Sequence, residues 1–376
     1  MELFNLYFGK EFPRNGFNSV KVGPFQINVK AEYSSLVDHL PMPDIITIPF
    51  DGEWKASPGK KGNWIATADC CVGCDAEPSI LALHPINDNG VWDLCQILTF
   101  LNGRNVSSVS SDVRKTPDTF GSRACIDMEI LRAAAVMWAS RQSFIDRKLV
   151  YSLLLYNQAF SCKDINLQAG IINPAFNGVY DDWLRTTKRG KNAGDEISKS
   201  HFSNLEDLTK EEKDQTKIAV SKLVDSFCDI EKNKRESLKA LLRSKIEGGL
   251  LGPVNLIYAM LVSESIIPKD SGEEILNRIK FINAVRNKFV HSGHPPEFAK
   301  NPLLSVEFSI FIIGRLIPDI IQMYLGKVAG FTESSVGSLS QFKHDISEYF
   351  LRGIYGGFKV EEESYSDKVN AILSGD

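Results

Sequence analysis

Three residues near the end of one predicted helix could do chemistry together. Arg286, Asn287 and His291 stand in the segment RNKFVH, on a polar arc beside an apolar helix face. At about 100° per residue, the guanidinium and the imidazole lie roughly 140° apart around the helix axis, with the amide between them. An imidazole gives or takes a proton near neutral pH, and a guanidinium stabilises charge that grows on phosphoryl oxygens. The set therefore predicts chemistry at a phosphodiester.

The sequence also predicts where the helix that carries these residues begins, packs and ends. Ser271 and Glu274 fit a capping box, and Gly293 followed by Pro295-Pro296 predicts the end of the helix. Between them, five apolar residues recur at helical spacing and predict a buried stripe: Ile275, Ile279, Ile282, Val285 and Phe289. A histidine at a helix end with an arginine nearby also fits an ordinary solvated helix terminus, which is the simpler interpretation.

RNKFVH resembles the R-N-x-x-x-H form of the R-x4-6-H motif of HEPN domains. These are helical bundles, and many of them are metal-independent ribonucleases of toxin, antiviral and RNA-processing systems. The resemblance covers roughly residues 205–355. A β-rich region ahead of such a bundle resembles the architecture of the Apea-like HEPN proteins of bacterial antiphage defence.

The resemblance implies a function and roles for the three residues. Arg286 and His291 would be the catalytic pair of an endoribonuclease, and Asn287 would be a positioning residue. RNA would be the substrate, cleaved by attack of its own 2′-hydroxyl, without a metal or another cofactor. HEPN nucleases use composite sites at dimer interfaces, so the resemblance also implies a homodimer formed through the bundle.

Composition limits the other classes of protein. With 376 residues, 43% of them hydrophobic and 24% charged, the chain has the composition of a globular protein of more than one domain. A net charge of −4 argues against general coating of nucleic acid, so any contact with RNA must be local. Seven scattered cysteines, no secretory signal and no long uncharged apolar run predict a cytoplasmic protein with reduced thiols and no membrane contact.

The pattern along the chain predicts an α+β fold, with a β-rich N-terminal domain followed by an all-α C-terminal bundle. The resemblance implies that this bundle is of the HEPN type. The predicted divisions are a sensor or regulatory domain at 1–120, a helical connecting region at 121–204, the bundle at 205–355 and a tail at 356–376. The sensor would recognise a phage or host trigger.

Individual elements are predicted as well. The first domain contains a sheet or small sandwich and then a helix at 91–102, capped by Asn89. Residues 126–160 read as one long helix or two, and 164–204 as irregular chain. A helix at 303–325 is expected to kink or break at Pro318.

Other candidate sites are weaker. No P-loop and no G-x-G-x-x-G occurs, so a nucleotide-hydrolysing motor is disfavoured, and no cofactor is predicted. Cys70, Cys71 and Cys74 could share a zinc ion, but a second C-x-x-C is lacking, and reduced thiols are the preferred interpretation.

Two rival functions stay open. One is a non-catalytic HEPN module that binds RNA, a nucleotide or a partner protein. The other is a sensor or interaction protein whose bundle only dimerises.

Overall fold

The computed structural model of the chain describes residues 1–7, 19–40, 45–47, 55–57, 65–109, 128–159, 162, 165–189, 210–226, 234–236, 238–239, 253–268, 273–293, 309–331, 337–355 and 358–359. Within these ranges, strands lie mostly before residue 73 and helices dominate the remainder. This arrangement confirms the predicted α+β class.

The N-terminal part is built on a small antiparallel sheet of four strands in the order β1-β6-β3-β2. Side chains of β3 alternate, with Phe25, Ile27 and Val29 buried and Gln26 exposed, as expected for a strand with one face on a core. Two further antiparallel pairs are described, β4 with β5 and β7 with β8. The described strands are β1 (Glu2–Phe4), β2 (Ser19–Val22), β3 (Phe25–Val29), β4 (Ile45–Thr47), β5 (Lys55–Ser57), β6 (Ala66–Val72), β7 (Ile354–Tyr355) and β8 (Phe358–Lys359).

Helices form most of the rest of the described chain. Residues 126–160 contain three helices, where one or two were predicted. The described helices are α1 (Tyr33–Leu36), α2 (Val91–Asn102), α3 (Met128–Ala139), α4 (Arg141–Asp146), α5 (Val150–Ala159), α6 (Ile165–Arg189), α7 (Lys210–Ser226), α8 (Pro253–Ser263), α9 (Glu273–Ser292), α10 (Ile317–Val328) and α11 (Gly337–Arg352).

The bounds of α2 were predicted correctly, but its cap was not. Asp88, rather than Asn89, accepts hydrogen bonds from the backbone N–H groups of Gly90 (3.1 Å) and Trp92 (2.7 Å). Its carboxylate therefore satisfies amides that the first turn leaves without partners. Asn89 has a left-handed backbone, with φ 57°, and serves to turn the chain into the helix.

Helix α6 is the largest departure from the sequence prediction, because it runs through a stretch expected to be irregular. It is 25 residues long and contains Pro174. Gly178 also lowers helix propensity, but a Cβ there would overlap the hydroxyl of Ser152, so glycine allows α6 to approach α5 closely. A buried stripe compensates for these residues: Ala169, Ile172, Phe176, Val179 and Trp183.

Trp138 of α3 is where the sheet meets the helices. Its indole packs edge-on against Phe25 of β3, with ring centroids 5.1 Å apart. Gly23, in the β2–β3 turn, and Gly90, at the start of α2, leave the space that this indole occupies. The guanidinium of Arg141 lies 4.2 Å from the centroid of the same indole. One aromatic side chain thus connects the sheet, α2 and α3.

The helix containing Pro318 does not break there. Residues 309–311 are helical, Ile312–Leu316 form a π-helical turn, and α10 continues from Ile317. Proline has no N–H to donate to the carbonyl of Gly314, four residues earlier, and the wider π turn lies where that bond would form.

The same helix is long and apolar enough to cross a membrane, by length and composition. Within Ser309–Val328, one window of 18 residues has a mean hydropathy of 1.3, and 89% of that window is buried inside the protein. No other helix among the described residues passes this test. Burial to this degree is typical of a helix in a protein core. Such a helix can have the length and apolar composition of a membrane span.

Contacts between Cα atoms divide the chain into two compact units, one of residues 1–183 and 281–376 and the other of residues 184–280. The predicted bundle, 205–355, contributes to both units. Its packing as a single HEPN bundle, and the predicted divisions at 120, 204 and 355, stay predictions.

Substituting Gly23 tests whether the indole of Trp138 occupies the space beside this glycine. Gly23 has φ +55°, and an added Cβ would overlap the indole, so Gly23→Ala combines backbone strain with a steric clash. We expect it to lower the free energy of unfolding by roughly 2–5 kcal/mol, from about 1–2 for the left-handed backbone and about 1–3 for overpacking. Chemical denaturation monitored by circular dichroism measures this loss.

Gly293→Ala is the matched control, since Gly293 has φ +69° but nothing within 4 Å of an added Cβ. Gly293→Ala should lower the free energy of unfolding through backbone strain alone. Equal losses in the two variants would show that the indole does not occupy the position described.

Candidate functional site

Helix α9 carries all three predicted site residues, and its bounds agree with the prediction. The five residues of the predicted stripe are all buried: Ile275, Ile279, Ile282, Val285 and Phe289. Ser271 lies outside the described residues, so the capping box is not tested. The other half of that predicted box, Glu274, pairs with the guanidinium of Arg278 one turn along the helix.

The C-terminal end of α9 is closed by Gly293, as predicted. Its backbone is left-handed, with φ 69°, and its N–H donates to the carbonyl of Phe289 at 2.9 Å. His291 consequently lies in the last turn of the helix, and it is exposed, as is the neighbouring Val290. The imidazole is accessible to a substrate or to another protein surface.

Arg286 lies against α6. Its Cζ atom is 5.4 Å from the centroid of the Phe176 ring, which is a cation–π geometry. Phe176 is buried, whereas the arginine is half-buried. The guanidinium is therefore held on an aromatic face and partly withdrawn from water.

No carboxylate compensates that charge in the part of the chain that the structure describes, where Arg286 has neither an ion pair nor a hydrogen bond. Burial lowers the pKa of Arg286 from its usual range, and Tyr180 acts in the opposite direction. A guanidinium still keeps its proton at neutral pH, because its ordinary pKa exceeds 12. Arg286 is therefore a permanent cation whose N–H groups donate no hydrogen bond to any described residue.

The third predicted residue, Asn287, is half-buried beside Arg286. Asn283, one turn earlier on the same helix, has a buried Oδ1 that accepts no hydrogen bond. Five positions along a helix correspond to a rise of about 7.5 Å, so Arg286 and His291 share the helix without direct contact. The guanidinium lies on α6 and the imidazole faces solvent.

Sequence reasoning missed Phe176 and Tyr180, because both fall in the stretch taken to be irregular. Tyr180 follows Phe176 by one helical turn, and its ring stacks on Trp183 with centroids 6.5 Å apart and 28° between the planes. Its hydroxyl is buried and has no hydrogen-bond partner. The recurrence of apolar residues at spacings of three and four could have revealed this face of α6.

The acidic residues that follow Tyr180 are placed differently. Asp182 is buried and accepts hydrogen bonds from Arg147 Nη2 at 2.6 Å and from the hydroxyl of Tyr324 at 2.9 Å. Burial lowers the pKa of Arg147, and the bond to Asp182 raises it, with a net increase. Asp181 is exposed. Asp182 is therefore engaged with another arginine, away from Arg286.

The cysteine cluster does not converge on one point. Cys70 is buried in β6, and burial raises the pKa of its thiol to about 11, whereas Cys71 and Cys74 are exposed. Adjacent residues of a strand point to opposite faces of the sheet, which separates the first two thiols. Over the described ranges, no three His, Cys, Asp or Glu residues are grouped so that they could hold a metal ion.

Comparisons with protein-family models, with curated proteins and with solved structures find no match to this chain.

Proposed function

We propose that the chain is a metal-independent endoribonuclease of the HEPN type. The observation that carries the proposal is the guanidinium of Arg286, unpaired among the described residues, on the same helix as the exposed imidazole of His291. An uncompensated cation near a solvent-facing proton-transfer group suits a phosphodiester substrate. The resemblance of RNKFVH to the HEPN motif supplies the reaction class.

In the proposed reaction, the 2′-hydroxyl of RNA attacks the adjacent phosphorus and the bond to the 5′-oxygen breaks. The products are a 2′,3′-cyclic phosphate and a 5′-hydroxyl. His291 transfers protons, Arg286 stabilises negative charge on the phosphoryl oxygens, and Asn287 positions the other two groups. The substrate provides the nucleophile, so the chemistry requires no metal-bound hydroxide.

One imidazole serves this reaction poorly, because the proton that leaves the 2′-hydroxyl and the proton that reaches the 5′-oxygen are on opposite sides of the phosphorus. A homodimer with a two-fold axis beside the end of α9 would supply two His291 and two Arg286 to one cleft. The exposure of His291 and of Val290, which is 55% exposed, supports this placement of the axis. Four cationic or titratable groups would also provide the local positive potential that RNA requires.

The proposed biological role is antiphage defence or a toxin-like activity in the cytoplasm. In this proposal, residues 205–355 form the HEPN bundle and residues 1–120 sense a phage or host component. The packing of Trp138 against Phe25 of β3 and Gly90 at the start of α2 supports communication between the sheet and the helices, since it places α3 in direct contact with the sheet.

A second candidate is a module that binds RNA or a nucleotide without cleaving it. It is favoured by one observation: the guanidinium of Arg286 is oriented toward Phe176, while His291 lies on the exposed last turn. An arginine stacked on an aromatic ring can hold a phosphate without assistance from the histidine.

His291→Ala tests the enzyme directly. We expect cleavage of total RNA to proceed in excess EDTA, and to fall by roughly 10²- to 10⁴-fold in this variant, the usual scale for losing a general acid or base. The Arg286→Lys variant should also cleave RNA slowly, because the point charge of an ammonium does not reproduce the planar set of donors of a guanidinium. Initial rates and end-group analysis of the fragments are the measurements.

His344→Ala is the matched control, since His344 is also an exposed histidine on a helix, α11. It should cleave at the wild-type rate. Cleavage that requires added Mg²⁺, or that is undiminished in His291→Ala, would contradict the assignment. Tight RNA binding without cleavage would favour the second candidate.

Mixing variants tests the composite site. Arg286→Ala and His291→Ala chains should each be strongly impaired, and a mixture should regain a small part of the activity, because the cleft of a heterodimer holds one guanidinium and one imidazole in place of two of each. Mass measured by light scattering, across the concentrations used for activity, gives the oligomeric state. A strictly monomeric protein that cleaves RNA at nanomolar concentration would rule out the dimer.

A further inference from the structure

The hydroxyl of Tyr180 is a donor without an acceptor. Its oxygen is buried and makes no hydrogen bond, although the ring is well packed against Trp183. A tyrosine hydroxyl withdrawn from water usually finds a partner, and leaving it unpaired is unfavourable. Tyr151, by comparison, is 55% exposed, so water satisfies its hydroxyl.

Tyr180 is next to the cation of the candidate site. It lies one helical turn after Phe176, the residue on whose ring the guanidinium of Arg286 rests at 5.4 Å. The two groups interact electrostatically: burial raises the pKa of Tyr180, while the charge of Arg286 lowers it. The net pKa is raised, so the phenol keeps its proton at neutral pH and remains a hydrogen-bond donor.

The neighbouring acids do not accept hydrogen bonds from Tyr180 or Arg286. Asp182 is engaged with Arg147 and Tyr324, and Asp181 is exposed and further raises the pKa of Tyr180. A guanidinium can only donate, and the phenol oxygen of Tyr180, which can both donate and accept, makes no hydrogen bond here. An acceptor with two or more oxygens and a negative charge would satisfy a donor from each group.

We propose that Tyr180 and Arg286 together bind one phosphoryl group, with Tyr180 donating to a non-bridging oxygen and Arg286 neutralising the charge. The ring of Phe176 forms an apolar wall that keeps water from the guanidinium on one side. Insofar as the phosphoryl group belongs to RNA, this inference rests on the proposed function. Tyr180 is then a binding residue for the substrate phosphate, contributed by α6 rather than by the helix of the motif.

The binding of inorganic phosphate by the full-length protein tests this site without requiring catalysis. Thermal unfolding is followed with and without phosphate, at constant ionic strength maintained with potassium chloride. Wild type should be stabilised by phosphate through mass action. Tyr180→Phe should bind phosphate roughly tenfold or more weakly, the scale of one hydrogen bond to a charged group.

The same variant separates a binding role from a structural one. Tyr180→Phe keeps the ring that stacks on Trp183 and removes a buried, unpaired hydroxyl, so its melting temperature without phosphate should equal or exceed that of wild type. Tyr151→Phe, the matched control, should behave as wild type with and without phosphate.

Three results would overturn the inference: no stabilisation of wild type by phosphate, undiminished stabilisation of Tyr180→Phe, or a lower melting temperature of Tyr180→Phe without phosphate. The last would mean that the hydroxyl has a structural partner. RNA cleavage by wild type is measured separately. Phosphate binding that depends on Tyr180, in a protein that does not cleave RNA, would sustain this inference and contradict the ribonuclease proposal. If RNA cleavage and phosphate binding are both unchanged in Tyr180→Phe, this inference is contradicted and the ribonuclease proposal is sustained.

Discussion

The candidate site depends on one electrostatic constraint, a guanidinium that is partly removed from water without a carboxylate beside it in the described chain. Such a charge is costly to bury, and Phe176 offsets only part of that cost by presenting its ring face to Arg286. The constraint explains why α6 and α9 must meet at this point. Asp182, the buried acid of α6, is held by Arg147 and so does not compete for the same cation.

Helix α9 could be predicted almost completely from the sequence, because every local signal agreed. Its apolar stripe and its polar flank are encoded within the 20 residues from Glu273 to Ser292, and its terminating glycine, Gly293, follows directly. The alternation of apolar and polar residues in β3 is equally clear in the sequence, because one face of that strand packs on a core and the other is polar. Local pattern was sufficient wherever one element had one buried face.

The partner of α9 was not predictable by the same means. Helix α6 contains Pro174 and Gly178, which argue against a helix when propensity alone is considered, yet tertiary burial of Ile172, Val179 and Trp183 stabilises it. Tyr180 was missed for this reason, and no spacing within one helix reveals which ring a distant arginine will contact. Pro318 was predicted to kink or break its helix, and the helix continues through a π turn that absorbs the missing amide without a break. Sequence therefore identified the residues on one helix and not the surface that faces them.

The glycine that ends α9 also places the guanidinium and the imidazole of the motif in different local environments. Arg286 stands more than a turn inside the helix and rests on a buried ring, whereas His291 lies in the last turn, next to a left-handed residue with open space around it. Terminal turns open with little free energy, on timescales far shorter than global unfolding. We therefore expect the guanidinium to be held in place by its packing and the imidazole to be the more mobile of the two groups. Any surface that packs over the end of α9 would reduce that sampling and so set how much of the time the imidazole is correctly oriented.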